Sequence, residues 1–503
     1  MHAEELSGLA AAYNAVHEAL EENRHFHSTP LIVQRVVLEG ETDDETRGSA
    51  DSTAPELVLQ YDLADFFLLG AVAGANLLLT GGTGEGKTRL AKIATSAIFG
   101  SDGVAFKRVN SEMTTADFLD TDLERLRSLS GRSSEVTLPG TLLTKPAVIF
   151  DEANRATPLV QNVMLGVLDG EVNLPNGGAT LRSGKDGYQF FVLTINEGNG
   201  FAGVAEFDRA IRDRSTLEVP VDHYPPTLSD LLDVLETGRK MLDVVPRDGH
   251  FREVRALADQ RGVPISEEAE LFLLFLANHD RCSKVGPTRN KRAVRFNPDL
   301  CRGCHALPNH SSYYQHVLAP STRALDRLKD VAAKFPLLRA LKVAEALAAG
   351  RGGGDQRARE LFAVHVESLK VELDDVVQLA PFVLFNKVSV NPNWVAKEFA
   401  GSTFEATRSF VREAHIRFLE FLTEWGGAWQ EGLMDEVPDP SLAGLDGGRK
   451  LGGTLEDWRE VREEMLEANP EFDVFTKLRE VLATRSRGRQ RRARGIPPRW
   501  LRG

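Results

Sequence analysis

Short apolar runs alternate with longer amphipathic stretches between residues 57 and 225 of this 503-residue chain. Continuous apolar runs of this length are typical of strands that are buried on both faces. The stretches between them are long enough to be helices. The pattern therefore predicts an α/β core, in which helices cover both faces of a parallel sheet. The five predicted strands are "NLLLTG", "GVAFKRVN", "AVIFDE", "QFFVLTIN" and "TLEVPV".

The regions on either side of this core lack the alternation. Residues 1–56 predict a helix, an apolar strand-like segment and an acidic linker. Residues 226–390 have helical periodicity, which predicts an all-α domain, and Ser266 is the expected N-cap of one of its helices. Residues 391–483 predict a further helical region, and residues 484–503 predict an arginine-rich tail.

Composition favours a soluble protein of several domains, with 42% hydrophobic and 26% charged residues. The chain has no apolar run near the roughly 18 to 20 residues that span a bilayer. Its first residues lack the basic start of a signal peptide, so we expect a cytoplasmic protein. The net charge of −13 disfavours nonspecific nucleic-acid binding by the body. The arginine-rich tail is either a solvated segment or a docking segment for an acidic partner or nucleic acid.

The stretch "LLLTGGTGEGKTRL" satisfies the phosphate-loop pattern G-x-x-x-x-G-K-[ST] between a predicted strand and a predicted helix. Its glycines allow successive backbone N–H groups to point at phosphate oxygens, beside the positive end of the helix dipole. In this pattern Lys87 reaches the β- and γ-phosphates of ATP, and Thr88 offers its hydroxyl to Mg²⁺. The predicted nucleotide-binding residues are Gly82, Thr83, Gly84, Glu85, Gly86, Lys87 and Thr88.

A pair of carboxylates ends the predicted strand "AVIFDE". In a parallel sheet these side chains lie at the carboxyl edge, where ligands bind. We expect Asp151 to hold the Mg²⁺ shell and Glu152 to orient or deprotonate the attacking water.

The order of these motifs resembles the MoxR family of AAA+ ATPases over roughly residues 57–390. The block "PGTLLTKPAVIFDEANRATPLVQNVMLGVLDGEV" is similar to that family's Walker B block. The resemblance implies that Asn196 is the sensor 1 residue and that Arg323, in "APSTRALDRLKDVAAKFPLLR", is the sensor 2 arginine of a helical lid. It also makes Asn110 a weaker candidate for a switch residue that restrains Glu152.

The segment "EFDRAIRDRST" resembles the part of the family that ends in the arginine finger. Arg214 aligns best, and Arg209 and Arg212 are the alternatives. A finger that completes the site of a neighbouring subunit implies a ring, with a hexamer as the expected form. The resemblance further implies that ATP hydrolysis remodels a protein client, with von Willebrand A-type proteins as the expected partners.

All three cysteines lie in a segment of the lid, at about residues 279–316, that departs from the family pattern. The spacing His279-x2-Cys282-x18-Cys301-x2-Cys304 is that of a structural zinc site. Inert buried cysteines are the alternative interpretation, and a haem or redox site is a third, because a C-x-x-C-H motif is present. Other candidates for the fourth zinc ligand are His305, His310 and His316.

Two other functions are compatible with these motifs. A nucleic-acid-acting AAA+ motor would use the arginine-rich tail and the basic stretch "SKVGPTRNKRAVRF" as phosphate contacts. An ATP-gated scaffold would bind ATP with little turnover, but the complete set of catalytic residues argues against it.

Overall fold

The structure is a computed structural model, and its contacts divide the chain into two compact units. The first unit comprises Met1–Ile265 and Asp326–Val371, and the second comprises Ser266–Leu325 and Glu372–Gly503. The residues that it describes are 3–23, 28–38, 56–121, 137–139, 141–173, 180–197, 207–237, 246–260, 262–278, 317, 320–350 and 356–428.

Strands and helices alternate through most of the first unit, as the apolar pattern predicts. The described strands are β1 (Ile32–Val37), β2 (Glu56–Tyr61), β3 (Leu77–Thr80), β4 (Val104–Arg108), β5 (Leu119–Thr121), β6 (Thr137–Pro139), β7 (Ala147–Asp151), β8 (Glu171–Asn173), β9 (Thr180–Arg182), β10 (Phe190–Thr194) and β11 (Leu217–Pro220). The described helices are α1 (Ala3–Glu22), α2 (Leu63–Ala73), α3 (Lys87–Phe99), α4 (Thr141–Thr144), α5 (Pro158–Leu168), α6 (Arg209–Arg214), α7 (Leu228–Thr237), α8 (Phe251–Asp259), α9 (Glu267–Asn278), α10 (Thr322–Ala332), α11 (Phe335–Gly350), α12 (Gln356–Glu367), α13 (Leu373–Leu384), α14 (Pro392–Glu398) and α15 (Thr403–Ala428).

A five-stranded parallel sheet forms the centre of the first unit, with the strand order β11-β3-β10-β7-β4. Every residue of β3, β7, β10 and β11 is buried, which explains why these strands are continuous apolar runs. The edge strand β4 is only partly buried, and its sequence accordingly contains lysine and arginine. All five strands predicted from the sequence are confirmed, as is the α/β class.

Hydrogen bonds extend the sheet beyond its strands at the carboxyl edge. The Ile195 N–H donates to the carbonyl of Leu79, and the Glu197 N–H donates to the carbonyl of Gly81. On the other side, the Val109 N–H donates to the carbonyl of Asp151. The segment after β10 is therefore bonded to the end of β3 and the loop after it, and the segment after β4 is bonded to the end of β7.

Three antiparallel hairpins accompany the sheet among the described residues: β1–β2, β5–β6 and β8–β9. The apolar segment noted in residues 1–56 contains β1. The other two hairpins were not predicted, because each has strands of only three residues. Runs this short are too brief for an alternating pattern to be recognised.

The end of α3 is crossed by the backbone of residues 246–250. The Ser101 N–H donates to the carbonyl of Pro246 at 2.9 Å. A Cβ atom at Gly249 would lie 2.1 Å from the backbone nitrogen of Gly100 and 2.2 Å from the carbonyl carbon of Phe99. Only glycine can pass the helix end at this distance.

Helices α9, α13 and α15 build an aromatic core in the second unit. The ring of Phe418 packs against Phe272 and Phe275, with centroids 5.3 and 5.7 Å apart. Phe382 and Phe404 form a second pair at 5.6 Å. The predicted cap of α9 is present, since the Ser266 hydroxyl accepts the N–H of Ala269 at 3.2 Å.

Some predictions concern residues that lie outside the described part of the chain. These are the zinc ligands, their alternatives and the arginine-rich tail, and they stay predictions: His279, Cys282, Cys301, Cys304, His305, His310, His316 and residues 484–503. Among the helices that the structure describes, none combines the length and apolar character needed to cross a bilayer.

Candidate active site

The phosphate-loop motif lies between β3 and α3, as predicted. Left-handed or otherwise positive φ angles occur at Gly81 (143°), Gly84 (92°) and Gly86 (76°), conformations that favour glycine. Lys87 begins α3, and its ammonium group donates to the carbonyls of Gly81, at 3.0 Å, and Gly82. The lysine side chain is therefore held against the backbone of the loop.

Asp151 ends β7 and is completely buried. Its Oδ1 accepts two hydrogen bonds, from the Thr88 hydroxyl at 2.5 Å and from the Thr194 hydroxyl at 2.8 Å. Its Oδ2 accepts one from Nε of Arg108 at 3.2 Å. The structure thus brings together the two residues, Thr88 and Asp151, that the sequence predicts as Mg²⁺ ligands.

Glu152 adopts a left-handed backbone conformation, with φ 57° and ψ 44°. This conformation is uncommon for a residue other than glycine and is strained. The N–H of Glu152 donates to the Thr194 hydroxyl at 3.1 Å. Its carboxylate pairs with Arg155, whose Nε lies 2.9 Å from Oε2. Strain at this position is typical of a functional turn that its surroundings hold in place.

Two asparagines were predicted near these carboxylates. Asn196 follows β10 at the same edge of the sheet, and its carbonyl accepts the Nδ2–H of Asn154 at 2.9 Å. Asn110 caps a local turn, because its Oδ1 accepts the N–H of Glu112 at 2.9 Å. A restraint of Glu152 by Asn110 stays a prediction, and the structure places Arg155 at that carboxylate.

Arg212 is the most enclosed of the three arginines proposed for the finger. Its guanidinium pairs with Glu218, which is completely buried in β11, and with Glu197, which follows Asn196. Burial by itself would lower the pKa of Arg212, but these two carboxylates outweigh it and raise the pKa. Arg212 therefore links α6 to the loop after β10 within its own subunit.

The other arginines predicted for the finger and the lid are more accessible. The guanidinium of Arg214 contacts Asp169 at 2.7 Å, and half of the Asp169 side chain is exposed. Arg209 is exposed in the first turn of α6, and Arg323 is exposed in the first turn of α10. Arg214 and Arg209 are thus better placed than Arg212 to reach a neighbouring molecule.

Carboxylates surround the lysine of the phosphate loop. Burial lowers the pKa of Lys87, and the negative charges of Glu85, Asp222, Asp151 and Glu197 offset part of this effect. Asp222 follows β11 and lies beside the phosphate loop, since a Cβ atom at Gly81 would be 2.8 Å from its Oδ1. The loop therefore offers a lysine ammonium in an otherwise acidic pocket.

A second cluster of ionisable groups joins α1, α2 and α11. Nε2 of His17 lies 3.5 Å from Oδ1 of Asp65, and Asp62 and Asp65 form a capping box at the start of α2. The ammonium of Lys342 lies 3.0 Å from Oδ2 of Asp65. Because a protein cation already neutralises this carboxylate, the cluster is a charge network and does not replace the predicted zinc site.

Sequence reasoning missed three residues that contact the carboxylates of Asp151 and Glu152. Arg108 pairs with Asp151 because the two residues are partners in the register of β4 and β7. Thr194 reaches Asp151 because it ends the strand next to β7. Arg155 follows Glu152 by three residues in a tight turn. The first two required the order of the strands, whereas an i, i+3 spacing could have pointed to Arg155.

Comparison with known proteins agrees with this geometry. Residues 76–215 match the family of AAA domains described as the dynein-related subfamily. Among curated proteins, none is significantly similar to the chain. One solved structure, of a candidate ATPase from Cytophaga hutchinsonii, is 16% identical and covers 82% of this chain and 96% of its own, with a TM-score of 0.48. A likeness this loose supports no conclusion about function. The sheet, the loop and the matched segment together establish that this chain carries an AAA domain and is an ATP-hydrolysing enzyme of the AAA+ class.

Proposed function

We propose that the chain is a MoxR-like AAA+ ATPase, which hydrolyses ATP in a ring to remodel a protein client. The observation that carries this proposal is the meeting of Thr88 and Asp151 at 2.5 Å beside Lys87. A hydroxyl and a carboxylate are the hard oxygen donors that Mg²⁺ prefers, with few protein ligands. The residues present therefore fit a nucleotide-bound Mg²⁺.

Each residue at this edge of the sheet has a separate role in ATP binding or hydrolysis. Lys87 and the N–H groups of the loop bind the β- and γ-phosphates, while Thr88 and Asp151 hold Mg²⁺, which neutralises phosphate charge when bound. Glu152 accepts a proton from the attacking water. Asn196, at the end of the neighbouring strand, helps to place that water.

The charge that develops on the transferred phosphoryl group calls for an arginine from a neighbouring subunit. Arg214 is our choice for this finger, since its partner Asp169 is half exposed and separation of such a surface ion pair costs only about 1 kcal/mol or less. Arg209 is the alternative. Separation of Arg212 from the buried Glu218 is far more costly, so Arg212 is the least suited of the three. Arg323 would contact the nucleotide from the lid.

One part of the proposal, a zinc site, concerns residues beyond the described part of the chain. The four ligands His279, Cys282, Cys301 and Cys304 would bind one Zn²⁺ and order the lid insertion. Elemental analysis of purified protein tests this, with about one zinc per chain expected. A content well below that, unchanged in a variant with Cys301 and Cys304 replaced by serine, would rule the site out.

A trap experiment tests the remodelling function. The Glu152→Gln variant should bind ATP, assemble and retain its client, because hydrolysis is blocked while the binding residues stay intact. We would isolate it with ATP from the native cell and compare it with Lys87→Ala, which should not bind ATP. A protein that co-purifies only with Glu152→Gln, especially one with a von Willebrand A-type domain, supports remodelling. Nuclease-sensitive material without a protein client would favour the nucleic-acid motor instead.

A further inference from the structure

Thr194 occupies a central position for which neither the motifs nor the proposed function accounts. It is the last residue of β10, the strand between β3 and β7, and only 2% of its surface is exposed. Its partner in the register on β3 is Leu79, one residue before the end of that strand. Thr194 therefore lies between the phosphate loop and the carboxylates of β7.

The Thr194 hydroxyl donates one hydrogen bond and accepts another. It donates its proton to Oδ1 of Asp151 at 2.8 Å and accepts the backbone N–H of Glu152 at 3.1 Å. A hydroxyl carries one donor and two acceptor positions, so a single side chain can satisfy both groups. The arrangement connects the two adjacent acidic residues to the neighbouring strand.

The second of these bonds acts on a strained residue. A left-handed conformation such as that of Glu152 persists only where the surrounding contacts hold it. On its other side the turn is closed by the Arg155 N–H, which donates to the carbonyl of Glu152 at 2.9 Å. The direction in which the Glu152 side chain leaves the backbone therefore depends on the bond to Thr194.

We propose that Thr194 is a positioning residue, whose hydroxyl orients the carboxylates of Asp151 and Glu152. Through Asp151 it sets the orientation of the carboxylate beside Thr88, and through the backbone of Glu152 it sets the direction of the base. This inference rests on the catalytic roles proposed above for Asp151 and Glu152. Thr194 itself acts through these two residues.

The test compares Thr194→Val, which keeps the shape but loses the hydroxyl, with Thr194→Ser, which keeps the hydroxyl. A misplaced catalytic group lowers turnover by about tenfold to a hundredfold, so we expect a kcat loss in this range for Thr194→Val. The KM for ATP should stay within about twofold, because Lys87 and the loop bind the phosphates. Thr194→Ser should retain kcat within about threefold.

Three further measurements make the test decisive. Circular dichroism and the thermal midpoint show whether each variant is folded; if Thr194→Val is not, Thr194→Ala carries the same expectation. Unchanged kcat without the hydroxyl would overturn the inference, and so would an equal loss in Thr194→Ser, which would indicate packing alone. Wild-type turnover no higher than that of Glu152→Gln would instead contradict the proposed catalytic role of Glu152, independently of Thr194.

Discussion

Replacement of Arg212 by methionine should destabilise the first unit strongly, although no part of the nucleotide loop is changed. The substitution removes the guanidinium that neutralises Glu218, a carboxylate with no exposed surface. Removal of one partner of a buried ion pair typically costs about 3–5 kcal/mol. Because 15% of the Arg212 side chain is exposed, we expect a loss at the lower end of this range, about 3 kcal/mol of the free energy of unfolding.

Two control variants separate the possible causes. Glu197 is the more exposed partner of Arg212, with 39% of its side chain accessible, so Glu197→Ala should cost no more than about 1 kcal/mol. The double variant Arg212→Met with Glu218→Leu removes both buried charges. Replacement of a whole buried pair by apolar residues is often neutral, so it should recover to within about 1 kcal/mol of the wild type.

Urea denaturation of the nucleotide-free protein at pH 7, followed by circular dichroism, measures these differences. The prediction fails if Arg212→Met unfolds within about 1 kcal/mol of the wild type. It also fails if the double variant is as unstable as the single one, since the buried carboxylate would then not be the cause.

Three further predictions concern packing, pH and the base. Gly249→Ala should cost about 3 kcal/mol or more, because its Cβ would overlap backbone atoms, whereas Gly103→Ala should cost less than about 1 kcal/mol; thermal denaturation compares them. Burial and a neighbouring arginine lower the pKa of His365 to about 4, so its stabilising effect is complete above the unfolded value near 6.5 and is lost as the pH falls toward 4. Between pH 7 and pH 5 the free energy of unfolding of the wild type should fall by at most about 2 kcal/mol relative to that of His365→Gln. The same difference between the two proteins at both pH values, measured by urea denaturation, would contradict this. Arg155→Ala should raise basal ATP turnover by no more than about fivefold, because it frees Glu152 from a partly exposed ion pair, while Arg155→Lys stays near the wild type. A fall in turnover in a steady-state ATPase assay would show that Arg155 assists the base.

The sequence predicts the central sheet well, because strands that are buried on both faces consist of continuous apolar runs. The apolar runs that end at Thr80, Asp151 and Thr194 are strands in the structure, and they end at the edge of the sheet that carries the candidate active site. The phosphate loop is equally readable, since its glycines adopt backbone angles that favour this residue. A short local motif that also determines the backbone conformation can be read without the fold.

Contacts between distant segments could not be predicted in the same way. Arg108 contacts Asp151 only because β4 adjoins β7, and the order of strands in a sheet is not written in any one of them. The crossing of α3 by Gly249 depends on the path of a loop, and an isolated glycine does not reveal it. The link from Arg212 to Glu218 joins a helix to the strand after it, and several nearby acidic residues would have been equally plausible partners.

The most direct test of the account mixes two inactive variants. Glu152→Gln lacks the base and Arg214→Ala lacks the finger, so each alone should hydrolyse ATP at a small fraction of the wild-type rate. If the finger acts on the neighbouring subunit, rings assembled from equal amounts of both contain intact sites at about a quarter of their interfaces. We predict that mixing restores turnover toward that level. Turnover in the mixture no higher than the average of the two separate variants would show that Arg214 does not complete a neighbour's site, and would contradict the proposed ring.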